Sequence, residues 1–225
     1  MLQVRYDMRA HGRSGRPLNK IDYTSQKFVA DFVAVVKGFE RENPYLLGWS
    51  LGGETIATDI AHCPAGYLSG IIYVSALPYI GEIMMDMAKE HLRDLRPGLV
   101  TEDVKEALTA RIDFVDSTIN GCNASGWGVR VLWVGELSHV NANDVENALT
   151  REQDPEPLFA AGREGLKLLH IYGDADQQLD NVVAETQVTQ RFVNKKVVVI
   201  KGGGHAVFYE FQDQVVEEIV AFVTR

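Results

Sequence analysis

Two patterns alternate along this chain, and their alternation leaves few possible folds. Short runs rich in branched and aromatic residues predict strands, and the stretches between them place apolar residues at helical spacing. The predicted strands cover residues 1–7, 44–50, 68–78, 166–174 and 195–204. The predicted helices cover residues 24–40, 51–63, 182–193 and 211–223. Strands that alternate with helices pair in parallel, so the predicted fold class is α/β, a mostly parallel sheet with helices on both faces.

A long block in the middle of the chain departs from this alternation. It carries amphipathic stretches at residues 83–95 and 102–115, and Thr101 is placed to cap the second one. The block is too long for an ordinary connection between two strands, which indicates an inserted helical cap or lid. The expected division is a core of residues 1–78 and 165–225 and a cap of residues 79–164.

The charge of the chain narrows its partners. The formal net charge is -9 over 225 residues, and a negative surface repels nucleic acid and anionic membranes. We find no apolar run of about 18 residues and no secretory leader, so we expect no membrane span and a cytoplasmic location. Cys63 and Cys122 have no metal-ligand spacing, which fits reduced thiols in a reducing compartment.

A Gly-Trp-Ser-Leu-Gly segment at residues 48–52 stands where a predicted strand ends and a predicted helix begins. The pattern is typical of a nucleophile elbow, in which a tight turn strains the serine. A side chain at Gly48 or Gly52 is expected to collide with neighbouring backbone. The turn lifts the Ser50 hydroxyl above the sheet edge, and the following helix offers the Leu51 N–H to an oxyanion. The alternative is a chance match in an ordinary turn.

A serine hydroxyl needs a base, and His205 is the best placed of the six histidines. It follows the last predicted strand and three glycines at residues 202–204, so the chain can turn the imidazole back over the sheet. A phosphate cradle is the rival interpretation of these glycines. It is disfavoured because the Lys-Ser/Thr pair of a P-loop is missing.

The acid that orients the imidazole is expected after the penultimate strand, where Asp174, Asp176 and Asp180 follow one another. A calcium loop is an alternative for these carboxylates, but Leu179 stands where such a loop requires glycine. A carboxylate at this strand end can instead accept the N–H of His205, in the chain order serine, acid, histidine. No His, Asp or Glu cluster has ligand spacing, so we expect no metal and no other cofactor.

Several segments in sequence order resemble the α/β-hydrolase superfamily, in the branch that carries a helical cap. They are RYDMRAHGRSGRP, GWSLGG, YVSALP, IYGDADQQLD and GGGHAVFYE. The resemblance implies Ser50 as nucleophile, Asp176 as acid and His205 as base, with Asp174 as the fallback for the acid. It further implies a cofactor-free hydrolase that cleaves a carboxylic ester or related acyl substrate through an acyl-enzyme. Perhydrolase activity uses the same triad and stays open as a side reaction.

The beginning of the chain departs from the family pattern. Family members open with three further strands, and the third carries a His-Gly segment whose loop donates the second oxyanion N–H. Here Met1 opens on what resembles the fourth strand, which implies a gap in the sheet beside Ser50 and no second donor. Three interpretations stay open: an incomplete version of a longer protein, a weakly active or inactive chain that binds small molecules, or a partner chain that fills the gap. The exposed sheet edge also allows self-association.

Four apolar side chains are the candidates for substrate contact. Met84, Trp127 and Trp133 of the predicted cap can line a pocket for a small apolar acyl group, and Trp49 stands beside the nucleophile. The helical spacing of the cap residues also fits ordinary packing against the core, and Trp49 also fits a place under the sheet. Both interpretations stay open from the sequence.

Overall fold

A four-stranded sheet forms the centre of the computed structural model, which describes residues 2–120 and 126–224. The strands are β1 (Tyr45–Trp49), β2 (Gly70–Val74), β3 (Lys167–Gly173) and β4 (Lys195–Ile200). They lie in the order β1-β2-β3-β4, and every neighbouring pair is parallel. The predicted fold class, α/β with a parallel sheet, is confirmed.

Helices precede, connect and follow these strands. They are α1 (Ser25–Gly38), α2 (Gly52–His62), α3 (Ile83–Met87), α4 (Glu90–Leu99), α5 (Val104–Asp116), α6 (Gly126–Leu137), α7 (Ala142–Leu149), α8 (Glu156–Arg163), α9 (Asn181–Gln187), α10 (Val207–Glu210) and α11 (Gln212–Val223). Short 3₁₀ helices lie at Lys20–Tyr23 and Thr189–Arg191. Helices α3 to α8 all fall between β2 and β3, inside the block expected to be a cap. That this block is a separate cap domain stays a prediction.

Alternate strand residues enter two hydrophobic clusters, one on each face of the sheet. On one face, Ile71 and Tyr73 of β2 pack with buried side chains of α1, α2 and α8. On the other face, Ile72 and Val74 pack with Val215 of α11. Burying one such side chain stabilises the fold by about 1.5–3 kcal/mol. The two clusters therefore fix the sheet, and the sheet fixes the loops at its carboxyl edge.

Residues 2–7 do not form the strand that the sequence predicts, and Met1 lies outside the described residues. The segment has no regular secondary structure, and β1 pairs with β2 alone. An alternating pattern makes a strand only where a neighbour supplies hydrogen-bond partners, and no strand of the described sheet does so here. Tyr6 packs instead against the larger hydrophobic cluster. β1 is therefore an edge of the described sheet.

The helix predicted at residues 83–95 is in fact two helices, α3 and α4. Between them, Ala88 pairs with Leu179 in an isolated antiparallel bridge. The Lys89 N–H donates to the Gln178 carbonyl at 2.9 Å. The chain is drawn out of the helical path because it bonds to the loop after β3, a contact that no local pattern encodes.

The helix predicted at residues 102–115 begins later, as α5, and its cap is Asp103 and not Thr101. The Asp103 carboxylate accepts the Glu106 N–H at 2.9 Å. The Thr101 hydroxyl accepts the Asp103 N–H at 3.2 Å, in the turn before the helix. An aspartate two residues further on therefore does the capping, as its stronger acceptor favours.

The stretch predicted as one helix at residues 182–193 is also interrupted. Helix α9 ends at Gln187, and a 3₁₀ helix follows. The break falls at Val188, the C-cap of α9. The Val188 N–H still donates to the Ala184 carbonyl at 3.0 Å and closes the last turn of α9.

Two expectations from the sequence concern compartment and membrane. Across the described residues, no helix is both long and apolar enough to cross a membrane. Cys63 follows α2 and is half-buried, whereas Cys122 lies outside the described residues. Reduced thiols and a cytoplasmic location therefore stay predictions.

Candidate active site

Ser50 lies in the turn between β1 and α2, and its backbone is strained. Its φ is +51°, a left-handed value that costs a residue with a β-carbon about 1–2 kcal/mol. The Ser50 N–H donates to the Val74 carbonyl at 3.3 Å, and the Ser50 carbonyl accepts from Gly53 at 3.0 Å and Leu77 at 2.8 Å. These bonds hold the serine in the strained turn that the sequence predicts.

The close approach predicted at both flanking glycines exists at only one of them. A β-carbon at Gly48 would lie 2.5 Å from the carbonyl oxygen of Gly52, so the position admits only glycine. The prediction for Gly52 is wrong, because a β-carbon there meets no atom within 4 Å. The second close approach is at Gly53, where a β-carbon would lie 2.5 Å from the Leu77 carbonyl oxygen.

His205 follows β4 and a run of three glycines, and its side chain is fully buried. Gly202 has a φ of +77°, which lets the chain turn after the strand. The ring Nε2 lies 2.8 Å from Ser50 Oγ, and the ring Nδ1 lies 2.9 Å from Asp176 Oδ2. The fold thus brings together three side chains of which two are 155 positions apart.

The Asp176 carboxylate is buried and fully hydrogen-bonded. Oδ1 accepts the Gln178 N–H at 2.8 Å and the Leu179 N–H at 3.0 Å, and Oδ2 accepts from Asn181 Nδ2 at 2.8 Å and from His205. Burial by itself raises the pKa of Asp176. The hydrogen bond and charge of His205, with the two backbone N–H groups, outweigh burial and lower the pKa below its ordinary value. The site therefore favours the ionised carboxylate.

The other two candidate acids bind local backbone. Asp174 Oδ1 accepts the Gly202 N–H at 2.6 Å and ties the end of β3 to the turn after β4. Asp180 is the N-cap of α9 and accepts the Val182 N–H at 3.1 Å. In the part of the chain that the structure describes, no group of three or more His, Cys, Asp or Glu side chains could hold a metal ion.

Leu51 follows the serine and precedes the first residue of α2. Among the described hydrogen bonds, its N–H has no acceptor. A free N–H at the start of a helix attracts negative charge, because the helix dipole places its positive end there. Leu51 therefore stands where the sequence places the oxyanion donor, and this role stays a prediction.

The model of the alpha/beta hydrolase family matches residues 3–218. This chain belongs to the alpha/beta hydrolase family. Among solved structures, the esterase RhEst1 from Rhodococcus sp. ECU1013 is 25% identical with a TM-score of 0.86, over 97% of this chain and 78% of that chain. A bromoperoxidase from Bacillus anthracis is 18% identical with a TM-score of 0.80, over 98% of this chain and 80% of that chain.

A further protein is similar to this chain in sequence. A protein of Synechocystis sp. (strain ATCC 27184 / PCC 6803 / Kazusa), whose name suggests a non-heme chloroperoxidase, is 22% identical over 223 residues. The match covers 94% of this chain and 77% of the relative. Family membership and these neighbours together support a hydrolase-type enzyme.

An aromatic cluster borders the histidine of this alpha/beta hydrolase. Trp49 Nε1 donates to the His205 carbonyl at 3.0 Å. The Trp49 ring lies 4.9 Å from that of Phe208 and 6.5 Å from that of Trp133 on α6, measured between centroids. The Trp133 ring in turn lies 5.5 Å from that of Tyr209. Two of the four predicted substrate contacts, Trp49 and Trp133, thus lie together beside the site.

The other two predicted contacts are elsewhere. Met84 is half-buried and packs against the larger hydrophobic cluster under the sheet. Trp127 is 75% exposed, and the Arg130 guanidinium lies 5.6 Å from its ring centroid. The fold does not bring either side chain to the aromatic cluster, and their contact with substrate stays a prediction.

The end of α5 contacts both loops of the site. The Gln178 side-chain amide donates to the Phe114 carbonyl and to Ser117 Oγ, each at 2.9 Å. The Ala206 N–H, next to the histidine, donates to the Thr118 carbonyl at 2.7 Å. Residues at and just after the end of α5 therefore anchor the loop of Asp176 and the loop of His205.

Sequence reasoning missed two polar side chains around the acid, Gln178 and Asn181. Gln178 lies in the loop that follows β3 and Asn181 is the first residue of α9, both within five positions of Asp176. Amide side chains so close to a candidate acid were the available signal. The sequence does not reveal which of these amides faces the Asp176 carboxylate, because that depends on the path of the loop.

Proposed function

We propose that this chain is a serine hydrolase of carboxylic esters or related acyl substrates, with Ser50, His205 and Asp176 as its catalytic triad. The observation that supports this most is the row of hydrogen bonds, 2.8 Å from Ser50 Oγ to His205 Nε2 and 2.9 Å from His205 Nδ1 to Asp176 Oδ2. Activation of a serine by a histidine base uses a hydroxyl, an imidazole and a carboxylate in this order.

The proposed reaction has two halves. Ser50 Oγ attacks the carbonyl carbon while His205 Nε2 takes the hydroxyl proton, and the oxyanion that forms accepts the Leu51 N–H at the start of α2. His205 then gives the proton to the departing alcohol oxygen, and the acyl group remains on Ser50. A water molecule, deprotonated by His205, attacks this acyl-enzyme and releases the acid. No cofactor enters these steps.

Asp176 has an electrostatic role in this mechanism. Its pKa is low despite burial because His205 and two backbone N–H groups bond to it, so the carboxylate stays charged while the imidazole holds the serine proton. The negative charge stabilises the imidazolium. The contact with Nδ1 also places the proton on that nitrogen, which leaves Nε2 as the base facing Ser50.

A small apolar acyl group is the proposed substrate element. Trp49 offers apolar surface beside His205, and Trp133 extends that surface next to Trp49. Aromatic side chains bind apolar groups through a large contact area. Trp133 belongs to α6, so the helices inserted between β2 and β3 act in the proposal as a cap that shapes the acyl site. The Rhodococcus neighbour is named as an esterase, which supports the same substrate class.

Covalent labelling tests the proposal against a chain that binds small molecules without turnover. We expect a fluorophosphonate probe to phosphonylate one serine per folded molecule, and Ser50→Ala to abolish the reaction because it removes the proposed nucleophile. Intact-mass spectrometry measures the adduct. Ser75→Ala is the matched control: Ser75 also has a positive φ, +41°, and follows β2, yet its hydroxyl has no hydrogen-bond partner.

The outcomes are exclusive. Labelling that survives in Ser75→Ala and disappears in Ser50→Ala supports the hydrolase. Absence of any adduct on wild-type protein with an intact circular-dichroism spectrum contradicts it and favours the small-molecule binder.

A further inference from the structure

One side chain holds the acid of the site without taking part in the proposed mechanism. Four donors approach the Asp176 carboxylate, two at each oxygen. Oδ1 takes the backbone N–H groups of Gln178 and Leu179. Oδ2 takes the His205 ring at 2.9 Å and the Asn181 amide at 2.8 Å. Asn181 therefore shares with the histidine the oxygen through which the acid acts.

The charge of the carboxylate fixes the orientation of the Asn181 amide. An ionised carboxylate only accepts hydrogen bonds. The Asn181 NH₂ group must therefore face Asp176, and the Asn181 Oδ1 atom must face elsewhere. That Oδ1 is buried without a hydrogen-bond partner, and the residue is 3% exposed. A buried acceptor without a donor lowers stability. The Asn181 amide therefore contributes a hydrogen-bond donor to Asp176.

Helix α9 does not need this amide. Asn181 is the first residue of α9, but the helix is capped by Asp180, whose carboxylate accepts the Val182 N–H at 3.1 Å. The Asn181 amide also approaches the Leu179 carbonyl, at 3.4 Å, a longer distance than its bond to Asp176. The side chain is directed at the carboxylate.

We propose that Asn181 is a positioning residue that holds Asp176 Oδ2 in line with His205 Nδ1; this rests on the proposed function. With two donors at each oxygen, the carboxylate cannot rotate away from the imidazole without breaking hydrogen bonds. Donors to the charged form also make the carboxylate a weaker base. The imidazolium proton therefore stays on His205, which must later give the proton on Nε2 to the leaving group.

Two substitutions separate positioning from packing. Asn181→Ala removes the donor, and Asn181→Asp keeps the shape but puts a second carboxyl group beside Asp176. Two adjacent carboxyl groups do not both ionise readily, so the pair shares a proton and titrates with a raised apparent pKa. The other charged or titratable groups nearby are His205, Lys89, whose Nζ donates to the Asp176 backbone carbonyl, and Asp180 at the helix start. All three are common to the wild type and both variants.

The first measurement is steady-state hydrolysis of p-nitrophenyl acetate. We expect Asn181→Ala to lower kcat by about 10- to 100-fold, the range known for outer partners of metal ligands, with KM unchanged because the amide lies behind the acid. For Asn181→Asp, the ratio of variant to wild-type kcat should rise as the pH falls and the added carboxyl group takes up a proton. Asn194→Asp, at an exposed position, makes the same chemical change away from Asp176 and should alter neither constant. Unchanged kcat in both Asn181 variants overturns the proposal.

The second measurement is urea unfolding at several pH values, which needs no activity. Because the added carboxyl pair has a raised pKa in the folded chain, the folded chain keeps a proton that the unfolded chain has lost. The free energy of unfolding of Asn181→Asp should therefore fall, relative to wild type, as the pH rises from roughly 5 to 8. A deficit that is the same at every pH indicates packing and overturns the proposal. If wild-type protein takes no fluorophosphonate label, the proposed function fails. The unfolding measurement still decides whether Asn181 acts on the Asp176 carboxylate.

Discussion

In the turn that holds Ser50, backbone strain and close backbone approach fall on different residues. Ser50 itself carries the left-handed backbone, with a φ of +51°. Gly48 and Gly53 have ordinary φ values but lie where a β-carbon would strike backbone atoms at 2.5 Å. Glycine is required at these two positions for close approach and not for conformational freedom, whereas Gly52 meets neither condition.

This division predicts different outcomes at two positions of the same motif. Gly48→Ala should lower the free energy of unfolding by about 1–3 kcal/mol or more, because the backbone of β1 and α2 must separate to admit a methyl group. Gly52→Ala should stay within about 1 kcal/mol of wild type, and alanine at the start of α2 can even stabilise it. Urea unfolding followed by circular dichroism compares them. Equal losses would show that the motif needs both glycines.

The residues of the site were predictable where their neighbours mark them. Ser50 stands between a strand and a helix, and His205 follows a strand and a run of glycines, so the order of elements places both at one sheet edge. Asn181 has no such mark, because its contact with Asp176 depends on how the loop folds back. Trp127 and Trp133 lie on one helix, and only the packing of α6 reveals which of them joins the aromatic cluster of Trp49 and Tyr209.

At the scale of elements, a buried carboxylate joins helix α7 to the N-terminal part of the chain. Asp144 is 2% exposed and accepts from the Tyr23 hydroxyl and from Arg16 Nη1, each at 2.9 Å. It also forms a capping box with Asn141 at the start of α7. One side chain thus completes the capping box of α7, whose N-cap is Asn141, and ties the helix to the loop and 3₁₀ helix that precede α1.

Asp144→Ala should therefore cost more than the loss of an ordinary helix cap. We expect a decrease of about 2–4 kcal/mol in the free energy of unfolding, because Arg16 and Tyr23 lose a buried acceptor. Asp103→Ala, which removes the exposed cap of α5, is the control and should cost about 1 kcal/mol. Chemical denaturation of both variants measures the difference. Losses of the same size would mean that Asp144 contributes only through the capping box.

The sequence predicted helix and strand boundaries wrongly where contacts with distant residues determine them. The alternation at residues 2–7 resembles a strand, but no strand of the described sheet pairs with it. The helical pattern at residues 83–95 is continuous, and the break at Ala88 comes from its bridge to Leu179. Strands β2 and β3 were predictable because burial on both faces leaves a nearly continuous apolar run in the sequence.

For the whole molecule, the centre of the sheet contains a histidine. His170, on β3, is fully buried, and its Nδ1 lies 2.9 Å from the Thr189 hydroxyl. Its Nε2 has no hydrogen-bond partner, and its ring packs against those of Tyr73 and Tyr172. Burial lowers the pKa of His170 from 6.5 to about 3. The free energy of unfolding of the whole chain therefore depends on whether His170 is protonated.

Above pH 6.5 this histidine is neutral in both the folded and the unfolded chain and adds no pH dependence. Between 6.5 and about 3, the unfolded chain binds a proton that the folded chain refuses, so the free energy of unfolding falls as the pH falls. The slope should approach about 1.4 kcal/mol for each pH unit. His170→Phe, which cannot be protonated, should lose this part of the slope when both proteins are unfolded in urea between roughly pH 4.5 and 7. Parallel stability curves for the two proteins would show that His170 accepts a proton without unfolding of the sheet.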